Sequence, residues 1–362
     1  MKDILHKLAE KHHIEMIGYT SANKFTKEKL RIEKRYGKDF ISPFTKGDVE
    51  SLTQPRLVWD KVESIISIGI SYYTMEESKN GRDALGEIAR VAWGEDYHHV
   101  LLKFMKAFML DLGQYYPNLQ YQCYVDNAPL LDRAVAYRSG LGFYGKNNFI
   151  IHPYYGSYIF LGHILINERL EENNASIQNA CGHCNRCIEV CPTKALQEYD
   201  LNANKCISYL TQKKELLNRW ERKAIGHHIY GCDCCQRVCP YNQNAILSHH
   251  EEFKPIQWLS MPSLEFIIHM SNKEFEQTYA KTSAGWRGKK LLQRNAIIVA
   301  GNIKNRRHKE LLKQTIKDDR WDIRIYSMFS LLEYDMDSQA VVAKRLSEES
   351  DAFRVKFNAY KD

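Results

Sequence analysis

Four cysteines, Cys181, Cys184, Cys187 and Cys191, stand in the order C-x2-C-x2-C-x3-C, with Pro192 directly behind them. A run this tight aims three sulfurs at three corners of a small cube, while the fourth reaches elsewhere. It is the spacing by which paired [4Fe–4S] clusters are held. Proline then ends the loop and turns the chain into a new element. A ligand that reaches away predicts a second set, and Cys232, Cys235 and Cys239 supply it as C-x2-C-x3-C, again closed by a proline, Pro240. Cys206 completes that set. Reciprocal pairing then gives one cluster Cys181, Cys184, Cys187 and Cys239, and the other Cys206, Cys232, Cys235 and Cys191. Cys234 offers an alternative thiolate but would leave an x4 gap to Cys239, so Cys235 is preferred. Zinc and disulfides are the competing chemistries. Zinc ribbons draw four ligands from two pairs, and a disulfide scaffold needs far denser cysteine than a chain of this length carries. Cys123 reads as a buried structural thiol.

The second stretch with chemistry in it is YVDNAPLLDRAVAYRSGLGFYGKNNFII, from Tyr124 to Ile151. Asp126 ends a predicted strand ahead of a helix that Pro129 opens, which is where open α/β sheets place ligands. Partial burial there would raise its pKa and suit it to donate a proton. The same spacing also fits an aspartate that merely caps the helix over 129–139. Asp132 and Arg133 read as an exposed pair or a helix-anchoring bridge.

Three regions must position these residues. Residues 1–168 read as an α/β domain, in which Leu5, Leu8 and Ala9 mark one face of a first helix and Ile14–Tyr19 a strand. Val62–Tyr73 is a buried strand, rich in β-branched residues. A helix over 96–112, a strand over 119–125 and the Pro129 helix follow. Lys146–Asn148 then open a strand, and Tyr158–Ile166 forms another. Residues 169–250 form a ferredoxin-like module with two clusters. From 251 onward the pattern turns helical, with amphipathic helices over 291–303, 310–316 and 323–332, the paired helices of a short HEAT-like repeat.

No apolar run approaches the length of a membrane span, and the amphipathic start of the chain has no signal-peptide core or twin-arginine pair. Oxygen-sensitive clusters and free thiolates point to the cytoplasm. The net charge of +7 is localised. Between Arg287 and Arg324 stand twelve Lys/Arg against four Asp/Glu, a larger excess than that of the whole chain. Such a block suits a polyanion, although a merely solvated helical face would look the same.

The succession VD-x-x-P-LLDRA, R-SGLGF-x-GKN, YGSYIFLGHIL, CGHCNRC–CPTKAL, KCISYLTQ, YGCDCCQRVCPYN and AGWRGKKLLQRNAI resembles the epoxyqueuosine reductases over essentially the whole chain. The resemblance implies a cobalamin-dependent iron–sulfur enzyme that reduces the epoxide of epoxyqueuosine in a tRNA anticodon loop, with loss of water. It implies that Asp126 is the proton donor and that the eight cysteines named above hold two [4Fe–4S] clusters. Cob(II)alamin would lie against Ile150, Leu161 and Ile164 on one side. Lys214 and the loop Cys232, Asp233, Cys234 and Cys235 would approach from the other. For the three aliphatic residues, ordinary core is the competing reading. The ligand pattern D-x-H-x-x-G is absent, and His98 and His99 read as helix-surface residues. The helical tail is short for the family. A flavodoxin- or ferredoxin-type donor would feed the clusters of what would be a monomer, and the basic block with Trp286 and Trp321 would grip the tRNA. The rival readings are a reductive dehalogenase-like enzyme, disfavoured by the missing twin-arginine signal, a ferredoxin-like electron carrier, and a tRNA-binding helical protein whose clusters are structural.

Overall fold

The computed structural model describes every residue except 76–85, 127, 172–176 and 257–258. Its first layer is decided by apolar strands. Helix α1 (Lys2–Lys11) buries Leu5, Leu8 and Ala9 and leads into β1 (Met16–Ser21) and α2 (Thr26–Gly37). Strand β2 (Ser64–Ser71) is buried at every position, because a strand apolar on both faces must be covered on both. After it come α3 (Tyr97–Tyr115), β3 (Tyr121–Tyr124), α4 (Asp132–Arg138) and β4 (Ile159–Ile166). The sheet order is β1-β2-β4-β3.

Every pairing in this sheet is antiparallel. That corrects the expectation of an open α/β sheet, and the argument that placed Asp126 at such a sheet's ligand edge falls with it. A strand's sequence encodes its burial but not the direction of its neighbour. The two faces are covered differently. Gly162 of β4 lies against Met105 of α3, whereas Leu165 of the same strand packs with Ala134 and Val135 of α4. Gly18 makes the α4 side possible, since a Cβ there would stand 2.0 Å from the Ser139 carbonyl oxygen. Only glycine lets the end of that helix descend onto β1.

Two local expectations also change. Helix α4 begins at Asp132, with Leu131 at its N-cap and no side-chain cap, so Asp126 does not cap it. Lys146–Asn148 do not open a strand. They form the turn between the short paired strands Phe143–Tyr144 and Ile150–Ile151, because Asn148 sits at φ +65°, a left-handed conformation no strand tolerates.

The packing divides the chain into two units that interleave along the sequence. Met1–Met75, Asp96–Asn204 and Cys234–Lys254 form the first, and Glu76–Glu95, Lys205–Asp233 and Pro255–Asp362 the second. The second unit is helical: α5 (Arg219–Ile225), α6 (Leu264–His269), α7 (Lys289–Ile303), α8 (Arg306–Thr315), α9 (Trp321–Leu331), α10 (Met336–Ser347) and α11 (Asp351–Tyr360). Helix α7 is buried without a break from Leu292 to Gly301, as a helix surrounded by others must be. It packs on α5, α6, α8 and α9. Helices α10 and α11 extend the array beyond the three that the sequence pattern suggests. The Phe329 and Phe357 rings stack at 5.0 Å to hold α11 on α9.

Candidate functional site

In the first unit, Cys181, Cys184, Cys187 and Cys239 line one cavity of about 450 Å³ together with Lys146, Tyr241 and Pro240. Two of the four come from the first run's outer turns, one from its short helix Arg186–Val190, and one from the second run. Burial first, and then the neighbouring thiols of Cys181, Cys239 and Cys184, push the Cys187 thiol up to about 11. Burial likewise raises Cys239, against the backbone N–H groups of Tyr241 and Asn242 that pull it down. Four converging soft donors that resist sharing negative charge are a site for a strongly cationic group, and they fit the corners of a cubic iron–sulfur cluster.

Local sequence explains this convergence. Gly182 takes φ +48°, which lets the first run fold back on itself. Lys146 donates to the Gly182 carbonyl at 2.9 Å and to Asn185 Oδ1 at 3.0 Å, and pairs with Glu198 at 3.0 Å. The lysine of the G-K-N sequence is thus the clamp on the cysteine loop. From the other side, Pro240 starts the helix Pro240–Gln243, and Asn242 Oδ1 accepts the Ser157 N–H at 2.7 Å while Gln236 Nε2 donates to the Ser157 carbonyl at 3.0 Å. A Cβ on Gly156 would come 2.1 Å from Asn242 Oδ1, so the glycine of Y-G-S-Y lets the second run dock.

The other four expected ligands are divided between the units: Cys191 and Cys235 belong to the first, Cys206 and Cys232 to the second. Cys191 is buried and Cys206, Cys232, Cys234 and Cys235 are half-buried. Within the second unit, Asp233 accepts the Arg90 N–H at 2.6 Å, which anchors the Cys232 loop. Lys214 is exposed. The segment before it is fixed by α7. Asn295 donates to the Thr211 and Ile229 carbonyls at 2.7 and 2.8 Å, and Arg294 donates to the carbonyls of Lys213, Leu210 and Thr211. Cys123 is half-buried on β3, and desolvation pushes its thiol up to about 11, so it stays protonated.

Asp126 lines a second cavity of the first unit, about 330 Å³, shared with Arg31, Arg35, Asp132, Arg133 and Tyr144. Its backbone is left-handed at φ +54°. The Tyr97 hydroxyl donates to Asp126 Oδ2 at 2.8 Å, and His98 Nε2 lies 3.9 Å from the same oxygen. Although 62% of the side chain stays open to water, the surrounding walls desolvate the carboxyl. That effect, followed by the charge of Asp132, raises its pKa against the opposing pull of Tyr97, His98 and Arg133. The result is a carboxyl that holds its proton more tightly than an ordinary aspartate.

Asp132 is not a surface pair. Its Oδ1 lies 3.3 Å from Nε2 of the fully buried His163, whose Nδ1 meets Ser67 Oγ at 3.1 Å. Arg133 donates to the Asn148 carbonyl at 2.7 Å and ties α4 to the turn that carries Lys146. Tyr97, His163 and Lys146 are the neighbours of these candidate residues that sequence reasoning missed. Tyr97 and His98 stack at 4.1 Å at the start of α3, where Asp96 caps the helix and accepts from the His98 N–H. Only the adjacency of D-Y-H-H hinted at them.

Among the proposed corrin-lining residues, Ile150 and half-exposed Leu161 join one apolar cluster with Tyr155. Ile164 does not. It is 0% exposed and, three positions beyond Leu161, lies on the opposite sheet face from it, so it is core. A half-open apolar wall of aliphatic and aromatic side chains suits the flat face of a corrin, and Leu161 fits that demand.

The basic block is thinner than its sequence implies. Arg294 is buried. Arg320 pairs with Asp318 at 2.9 Å and Arg324 with Glu349 at 2.6 Å. Lys290, Lys304, Arg306 and Lys317 are exposed, with no ion-pair partner among the described residues. Trp286 and Trp321 are 53% and 44% exposed. No helix among the described residues is long and apolar enough to cross a membrane.

Residues 180–242 match the family model described as a 4Fe-4S double cluster binding domain, and residues 53–127 match that of epoxyqueuosine reductase QueG, DUF1730. The chain is 35% identical to the epoxyqueuosine reductase of Listeria monocytogenes over 358 residues, covering 97% of this chain and 94% of that protein. It is 37% identical to that of Lactococcus garvieae, covering 84% and 88%. An epoxyqueuosine reductase solved with a tRNA-Tyr epoxyqueuosine-modified stem loop superposes with a TM-score of 0.92 at 33% identity, over 99% of this chain and 96% of that one.

Proposed function

This chain belongs to the epoxyqueuosine reductase family, and on that premise we propose that it reduces the epoxide of epoxyqueuosine in tRNA with Asp126 as the proton donor. Opening the epoxide to the alkene consumes two electrons and two protons and releases the oxygen as water. Two [4Fe–4S] clusters and cobalamin supply the low-potential electrons when bound. Cys181, Cys184, Cys187 and Cys239 hold one cluster. Cys206, Cys232, Cys235 and Cys191 are the set that the family resemblance implies would hold the other. Leu161 and Ile150 would face the corrin from the first unit.

The protein's own contribution is orientation and a proton. The observation that carries the reading is the raised pKa of Asp126 on the wall of a cavity, with Tyr97 fixing the carboxylate oxygen at 2.8 Å. A carboxyl that keeps its proton nearer neutrality delivers it to the departing oxygen, and Tyr97 and Asp132 set how tightly it is held.

We read 1–168 as the catalytic and corrin region, 169–250 as the cluster module, and 251–362 as a HEAT-like region that grips tRNA through the exposed part of its basic block. An external flavodoxin- or ferredoxin-type donor in the cytoplasm supplies the electrons, and the enzyme acts as a monomer. Arg31 and Arg133, which line the same cavity as Asp126, suit an anionic nucleotide lying there. The test is the pH profile of anaerobic single turnover. The wild-type rate falls as pH rises through the raised pKa of Asp126. Asp126→Asn loses that limb and about 10²–10⁴ in rate while still binding cobalamin. An Asn variant with the wild-type rate and pH limb would refute the assignment.

A further inference from the structure

We propose that Glu15, His249 and His250 form a binding site for one divalent cation of the zinc class, within the first unit and outside the cysteine cavity. A ligand atom from each lies within 4.8 Å of the others. Glu15 Oε1 is 3.0 Å from His250 Nε2 and 3.7 Å from His249 Nδ1. A tetrahedral zinc shell, with bonds of about 2.0–2.2 Å, keeps its donors roughly 3.3–3.5 Å apart. The two distances bracket that value, and the two imidazole donors lie within 4.8 Å of each other.

Burial supplies the second observation. The Glu15 and His250 side chains are 5% and 3% exposed. Glu15 Oε2 is buried with no hydrogen-bond partner among the described residues. An ion pair with His250 alone uses one carboxylate oxygen and leaves the other stranded, an expensive state for a buried charge. A cation uses the carboxylate and both imidazoles at once. Two histidines and one carboxylate are a donor set that zinc accepts, with the remaining position open to water. The His250 ring is held edge-on by Phe104 at 5.3 Å and Phe253 at 5.9 Å, while His249 is 55% exposed and gives access.

The consequence lies in where the ligands come from. Glu15 directly precedes β1, and His249 and His250 end the segment that carries Cys235 and Cys239. A cation here clasps the N-terminal strand to the chain that returns from the cluster module. No step of the reduction depends on it.

The test uses the full protein with clusters and cobalamin loaded, under anaerobic conditions. Zn²⁺ is added, loosely held metal is removed with a weak chelator, and zinc and iron are counted per chain. The expected result is about one zinc per wild-type chain at unchanged iron, with a thermal midpoint raised by Zn²⁺. Glu15→Gln, which keeps the side-chain shape, and His249→Ala, at a half-exposed position, each lose the zinc and the thermal shift while keeping their iron. Wild-type protein that retains no zinc, or variants that retain as much as wild type, would overturn the proposal and leave an ordinary Glu15–His250 ion pair.

Discussion

Replacing Arg306 and Arg307 together with alanine tests whether the exposed part of the basic block contacts tRNA phosphates. Arg306 is exposed and has no ion-pair partner among the described residues. Arg307 pairs with Glu265 at 2.6 Å, but the two side chains are 68% and 52% exposed. Such a surface pair contributes about 0–1 kcal/mol and exchanges readily for a phosphate. Each phosphate neutralised adds about 0.7–0.9 to the slope of log affinity against log salt. Losing two contacts should therefore flatten that slope by about 1.4–1.8. Between about 50 and 200 mM salt, the wild type should lose roughly seven- to twelve-fold more affinity than the double variant. Fluorescence anisotropy with an anticodon stem loop across that range reads the difference directly. Folding stability should stay within about 0.5–1 kcal/mol of wild type. Equal slopes for the two proteins would refute the assignment of this surface to phosphate contact.

The reverse behaviour is expected at Arg324, whose side chain is 15% exposed and forks onto a Glu349 that is 6% exposed. Arg324→Met should cost about 2–3 kcal/mol in denaturant unfolding, less than a fully stranded buried charge because Arg345 still pairs with Glu349, and should leave the salt slope unchanged. Cys239→Ser should remove one of the two clusters, read as loss of about half the iron and sulfide per chain; full iron content would contradict the cysteine cavity as a cluster site. Burial pushes His152 down to about 4 from an ordinary 6.5, and its Nδ1 accepts the Tyr154 and Tyr155 N–H groups at 3.2 and 3.4 Å. The neutral ring is the folded form, so its contribution is present above about pH 6.5 and is lost as pH falls toward about 4. His152→Gln should lessen the wild-type stability loss over that window by up to about 2–3 kcal/mol, and equal losses would remove His152 from the account.

Cysteine spacing was the most legible feature of the sequence. Ligand exchange between the runs placed Cys239 with Cys181, Cys184 and Cys187 across a wide gap in sequence, because tetrahedral cluster chemistry leaves few other partners. The strand-end argument that singles out Asp126 does not survive the fold. The sheet it follows is antiparallel, and its distinction comes from Tyr97 and Asp132, residues brought to it by α3 and α4. Ile164 and Leu161 illustrate the limit at strands. The apolar run announced a strand, but only the packing of α3 and α4 decided which face was which. Charge counting misjudged the basic block for a similar reason. Arg294 looks like surface in a run of lysines, yet it is a core residue satisfied by backbone carbonyls. Helices α10 and α11 were missed because they bury little: in α10 only Ser338 and Val342 are fully buried, too few to set a clear period.

The measurement that bears most directly on the central claim is anaerobic single turnover of epoxyqueuosine-containing tRNA by protein loaded with cobalamin and both clusters, followed by digestion and mass analysis of the nucleoside. Loss of one oxygen, dependent on cobalamin and suppressed in Asp126→Asn, is the predicted result. An unchanged nucleoside from fully loaded wild-type protein, or equal conversion by the Asn variant, would contradict it.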